Sequence, residues 1–84
     1  MLNQQKLNLK DKNGTDLPND CIIYGFLIGQ TKKHYFNLGR CKNDLSNEMI
    51  ACTYGYVHNV EQKDLVNFEL IGLTKDNFHL LECD

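Results

Sequence analysis

The run Cys21-Ile22-Ile23-Tyr24-Gly25-Phe26-Leu27-Ile28 constrains this fold more than any other stretch of the chain. It is rich in β-branched and aromatic residues, bounded by Asp20 and Gly29, and far too short for a membrane-spanning helix. Alternate side chains of a strand point to opposite faces. Here both sets, Cys21/Ile23/Gly25/Leu27 and Ile22/Tyr24/Phe26/Ile28, are apolar. A strand that is apolar on two faces belongs inside a sheet with cover on both sides. Residues 29–33 have hairpin-loop length, and His34–Arg40 returns as a strand with Phe36 and Leu38 on one face and Tyr35 and Asn37 on the other.

The flanking segments read as further strands and turns. Lys6–Lys10 alternates around Leu7 and Leu9 and fits an edge strand. Residues 11–20, with Asn13-Gly14, Pro18 and Asn19-Asp20, read as turn and loop. Residues 43–49 allow a short helix capped by Asn43 or Ser46, because Leu45, Met49, Cys52 and Tyr56 match a helical spacing. From about residue 50, alternation takes over: Ile50, Cys52, Tyr54, Tyr56, His58 and Val60 share one face of a long strand. Asn59-x-x-Gln62 resembles a capping box for one helical turn. Val66, Phe68 and Leu70 then alternate, and residues 75–77 form the loop of a last hairpin closed by 78–82. Short hairpin connections imply antiparallel pairing. The expectation is a mainly β (or α+β) fold in a single small domain, 1–84. It is a strongly bent antiparallel sheet or small barrel of five to six strands, with room for one short helix near 43–49.

An 84-residue chain has a small core and little room for an enclosed active site. Asparagine is frequent, and its tolerance of left-handed backbone makes the chain rich in turn signals. The N-terminal MLNQQKLNLK lacks the apolar core of a secretion signal, and no run reaches membrane-spanning length. A cytoplasmic protein without membrane association is expected. Its four cysteines, Cys21, Cys41, Cys52 and Cys83, are then expected as free thiols. Cys41, Cys52 and His58 are the nearest approach to a zinc set, but their spacing fits no ribbon or finger, so no metal and no cofactor are expected.

The net charge of −2 is unevenly spread. Residues 1–42 carry seven Lys/Arg against three acids, whereas residues 43–84 carry two lysines against eight acids. An acidic surface speeds encounter with a basic partner; solvation of a small domain is the alternative use of the same charges.

Glycine stands between two aromatics twice, in Tyr24-Gly25-Phe26 and in Tyr54-Gly55-Tyr56. On a strand the flanking aromatics share a face, and the glycine marks a bend or a close approach. The structural use is core or curvature. The functional use is a stacking platform for bases, with Lys32, Lys33, Arg40 and Lys42 on phosphates. An RNA-recognition strand would need a leading basic residue, and Tyr24 here follows Ile23; that fold's two helices are also absent from the pattern.

His34, His58 and His79 have no nucleophile motif beside them, and no enzyme activity is expected. The leading expectation is a small binding protein that occupies and inhibits or neutralises a macromolecular partner, in the class of immunity proteins, antitoxins and phage-type inhibitors. Its partner is a protein with a basic surface, met by Glu48, Tyr54, Tyr56, Glu61, Asp64, Glu69 and Asp76. The alternative is a single-stranded nucleic-acid-binding β module built on the Tyr/Phe stack and Lys32, Lys33, Arg40 and Lys42.

Overall fold

The computed structural model describes residues 6–41, 43, 45–51 and 55–81. Seven strands are present among them: β1 (Lys6–Lys10), β2 (Asp16–Pro18), β3 (Cys21–Gly25), β4 (His34–Arg40), β5 (Asn47–Ala51), β6 (Gly55–His58) and β7 (Phe68–Leu73). All pairings are antiparallel. Five strands form one sheet in the order β6-β5-β4-β3-β7, and β1 pairs with β2 in a separate ribbon. The larger sheet is open, with β6 and β7 as its edges among the described residues. Single helical turns fill the connections: 3-10 turns at Gln62–Leu65 and Phe78–Leu81, and α1 at Thr74–Asn77.

The first five residues of the apolar run, Cys21–Gly25, become β3, paired on both sides; residues 26–28, expected to continue the strand, leave the sheet, and Ile28 is exposed. Register with β4 sets Cys21 opposite Leu38 and Ile23 opposite Phe36. These residues, with Met49, Ala51 and Phe68, make the inner face of the sheet. Leu7, Leu9, Leu17, Val60 and Leu65 cover it from the ribbon and the first 3-10 turn. Phe36 and Phe68 meet edge to face at 5.5 Å between ring centroids, a favoured aromatic geometry.

Asp11 ties the two sheets together. It is buried, and its Oδ1 accepts the backbone N–H groups of Asn13 and Thr15, both at 2.9 Å. Its Oδ2 accepts the N–H of Leu70 in β7, also at 2.9 Å. Burial works against the charged form, but the three N–H donors outweigh it and hold the carboxyl below its ordinary 3.8.

Four local expectations are corrected. Residues 43–49 form no helix among those described: Leu45 has φ 62° and Asn47 opens β5, and a left-handed residue cannot sit inside a right-handed helix. The long strand from residue 50 is a hairpin, with Ala51 opposite Gly55. Gly55 takes φ 123°, a conformation that favours glycine, and so the chain reverses where alternation alone implied continuation. Residues 52–54, including Cys52 and Tyr54, lie outside the described residues. The last hairpin is replaced by α1 and the second 3-10 turn. Phe78-His79-Leu80-Leu81 does not alternate, and the Asn77 side-chain Nδ2 donates to the Leu73 carbonyl at 2.9 Å, tying the end of α1 back to its start. Finally, the loop 11–20 contains β2, which ends at Pro18 in a two-strand ribbon where a missing N–H is tolerated.

The helical turn after Asn59 is present but capped two residues later. Glu61 and Asp64 form the reciprocal box, with the Glu61 N–H donating to Asp64 Oδ2 at 2.9 Å. Asn59 has φ 57°, spending its turn tendency on a left-handed bend. Among the described residues no helix is long and apolar enough to cross a membrane.

Candidate functional site

The outer face of the large sheet is built by the other alternate set of residues. Cross-strand register aligns Ile22 and Tyr24 of β3 with Asn37 and Tyr35 of β4, Asn37 with Ile50 of β5, and Ile50 with Tyr56 of β6. Helical segments pack over only part of this face. Helix α1 contacts β3, the second 3-10 turn contacts β4, and the Thr74 hydroxyl donates to Asn37 Oδ1. The consequence is visible in two isoleucines of the same face: Ile22 is 0% exposed and Ile50 is 41% exposed.

The β5–β6 portion is therefore open, and its side chains form a connected group. Tyr56, 54% exposed, donates its hydroxyl to Glu48 Oε1 at 2.7 Å. The same hydroxyl lies 2.8 Å from His58 Nδ1, and Ser46 Oγ lies 3.4 Å from His58 Nε2. Because the single tyrosine proton goes to Glu48, a neutral His58 would donate from Nδ1 to Tyr56 and accept from Ser46 at Nε2. The Tyr56 and His58 rings are stacked at 5.8 Å between centroids with planes 25° apart. Ser46 ends the β4–β5 loop, in which the bonds from the Cys41 N–H to the Ser46 carbonyl and from the Leu45 N–H to the Cys41 carbonyl accompany an outward Leu45 at 68% exposure. Ile50, Leu45 and His58 belong to this group without standing among the contact residues expected from the sequence. The signal in the sequence is the alternation that places Ile50, Tyr56 and His58 on one face.

The other expected contact residues are placed elsewhere. Glu69 belongs to β7, four strand positions from β6, which is about 19 Å at ordinary strand spacing. There Lys12 Nζ lies 3.4 Å from its carboxylate. Asp76 is exposed on α1, which follows β7. Glu61 and Asp64 cap the first 3-10 turn, with Lys63 Nζ 3.8 Å from Glu61. So the structure brings together Glu48 and Tyr56 and separates Glu69 from them. Tyr54 lies outside the described residues. The charge halves interleave as well, since acidic β7 pairs with β3 from the basic half.

The basic set divides too. Lys32 and Lys33 precede β4, while Arg40 ends it, about 20 Å farther along the strand. Lys42 lies outside the described residues. Beside the two lysines the Tyr24 and Tyr35 rings meet at 4.3 Å, and Lys33 Nζ lies 5.6 Å from the Tyr24 ring centroid. Cys21 is buried, and burial, with the Asp20 charge adding to it, pushes its thiol up to about 12. Cys41 is a free thiol at intermediate exposure. No grouping of three or more His, Cys, Asp or Glu side chains suited to a metal ion occurs among the described residues.

Compared with known proteins, the chain matches no family model, no curated protein and no solved structure.

Proposed function

We propose that this is a small cytoplasmic binding protein that acts by occupying a macromolecular partner, as immunity proteins, antitoxins and phage-encoded inhibitors do. Its contact surface is the open β5–β6 side of the sheet, with Tyr56 as aromatic anchor and Glu48 as the charge beside it. The observation that carries this reading is the exposed cross-strand pair Ile50–Tyr56, flanked by Glu48, on the part of the face over which no described helix packs. Tyrosine is favoured at interface hot spots. The Tyr56–Glu48 and Tyr56–His58 contacts fix the anchor before encounter, which lowers the ordering cost of binding. A stable interface covers about 800 Å² per partner, so the contact extends past the hairpin to the loop bearing Leu45. Glu61, Asp64, Glu69 and Asp76 contribute at longer range, by attracting a basic protein rather than touching it.

The test is comparative capture from cells. Wild-type protein, a Glu48→Lys/Tyr56→Ala variant and a Lys32→Glu/Lys33→Glu variant are immobilised side by side. A protein retained by the wild type and the lysine variant, and lost from the Glu48/Tyr56 variant, is the expected result. Loss from the lysine variant alone would move the contact to the basic end of β4 and overturn the assignment.

A further inference from the structure

A second site lies over the same face, at the end of β4 away from Arg40. A cleft of about 260 Å³ is lined by Tyr24, Tyr35, Lys32, Lys33, Leu80 and Leu81, with His34 at its side. The paired tyrosine rings give it an aromatic wall, and the second 3-10 turn gives it an aliphatic one. Its charged side chains among the described residues are Lys32 and Lys33, both exposed, and no carboxylate among those residues lines it. Among the described residues neither lysine makes an ion pair, whereas Lys10, Lys12 and Lys63 each do.

We infer that this cleft binds one nucleotide unit, with the base against the Tyr24–Tyr35 pair and the phosphate between Lys32 and Lys33. Three features select that chemistry. A planar ring is matched by aromatic side chains, on which bases stack without regard to sequence. Two lysines lining one cleft suit a phosphate monoester, which carries about −1.5 to −2 at neutral pH, better than a single carboxylate. The volume is just below the roughly 300 Å³ at which ordinary ligand pockets begin, enough for one ring and its phosphate but not for an extended ligand. Arg40, at the far end of β4, takes no part. This site is separate from the β5–β6 contact surface and stands or falls independently of it.

The unit comes from a free mononucleotide or from a nucleic-acid strand, and titration separates the two. Amide chemical shifts of the intact chain are followed with AMP, UMP, an oligothymidylate and inorganic phosphate as probes. The expected result is saturable shifts of residues 32–35 and 80–81 with a nucleotide probe, abolished in the Lys32→Glu/Lys33→Glu variant. They should be unchanged in the Glu48→Lys/Tyr56→Ala variant. Tighter binding of the oligonucleotide assigns the site to a strand, and equal or weaker binding assigns it to the free nucleotide. With one phosphate neutralised, raising salt from 50 to 200 mM should weaken the oligonucleotide about 2.5-fold. Absence of shifts with AMP, UMP and the oligonucleotide overturns the inference. So does inorganic phosphate binding as well as AMP, or the lysine variant binding as the wild type does.

Discussion

Replacing Asp11 by alanine should cost about 3 kcal/mol of folding stability. The side chain is 7% exposed and accepts three backbone N–H groups, two in its own turn and one in β7. A hydrogen bond to a charged acceptor contributes about 1.5–3 kcal/mol, less where the donor can turn to water instead. Asn13 and Thr15 are exposed and can do so; Leu70, in a strand, is half-buried. Assigning roughly 0.5–1 kcal/mol to each turn donor and the lower half of the full range to Leu70 gives the figure. A chain of 84 residues has about 4–13 kcal/mol in total, so the loss is large. Urea unfolding of wild type and variant at neutral pH measures it. The acid dependence gives a second check. The folded carboxyl lies below its ordinary 3.8, so its charge-linked stabilisation is complete above that value and is lost as pH falls through the lower folded value. The gap between wild type and variant should therefore narrow at about pH 2, with the other carboxylates cancelling in the comparison. A gap under about 1 kcal/mol at neutral pH, or one that stays constant into acid, would refute the account of Asp11.

Other substitutions probe different parts of the molecule. A Cβ on Gly25 would stand 2.1 Å from the Asn67 carbonyl oxygen, a backbone atom, so Gly25→Ala should destabilise by about 1–3 kcal/mol in the same unfolding assay. Leu45 holds φ 62°, so Leu45→Asn should stabilise by roughly 0.5–1 kcal/mol while weakening retention of the partner. In native protein, iodoacetamide should label Cys41 and leave Cys21 unmodified until denaturant is added, as peptide mass mapping would show.

The features legible from sequence were those set by local pattern. The return strand His34–Arg40 and the segment around Phe68 appear as strands because apolar and polar side chains alternate along them, and the apolar run at Cys21 appears as one, as far as Gly25, because both of its faces are covered. What was not legible depended on single backbone angles. Leu45 and Gly55 each take positive φ, and together they turn an expected helix and long strand into the β5–β6 hairpin. Asparagine tolerates left-handed backbone, and Asn8 and Asn59 adopt it; nothing in a leucine announces that state. The two aromatic-flanked glycines look alike in sequence yet serve different ends. Gly25 admits a neighbouring backbone, whereas a Cβ on Gly55 would meet open space and only its φ requires glycine. The site was half legible for the same reason. Glu48 and Tyr56 converge across a hairpin, but strand order, which no local pattern encodes, puts Glu69 at the opposite edge.

Hydrogen exchange of the captured complex tests the central claim most directly. Amides of the loop and hairpin around Leu45, Ile50, Tyr56 and His58 should slow on binding, while those of β7 around Glu69 stay unchanged. Slowing confined to β7, α1 or the 61–64 turn, with the β5–β6 hairpin unaffected, would contradict it.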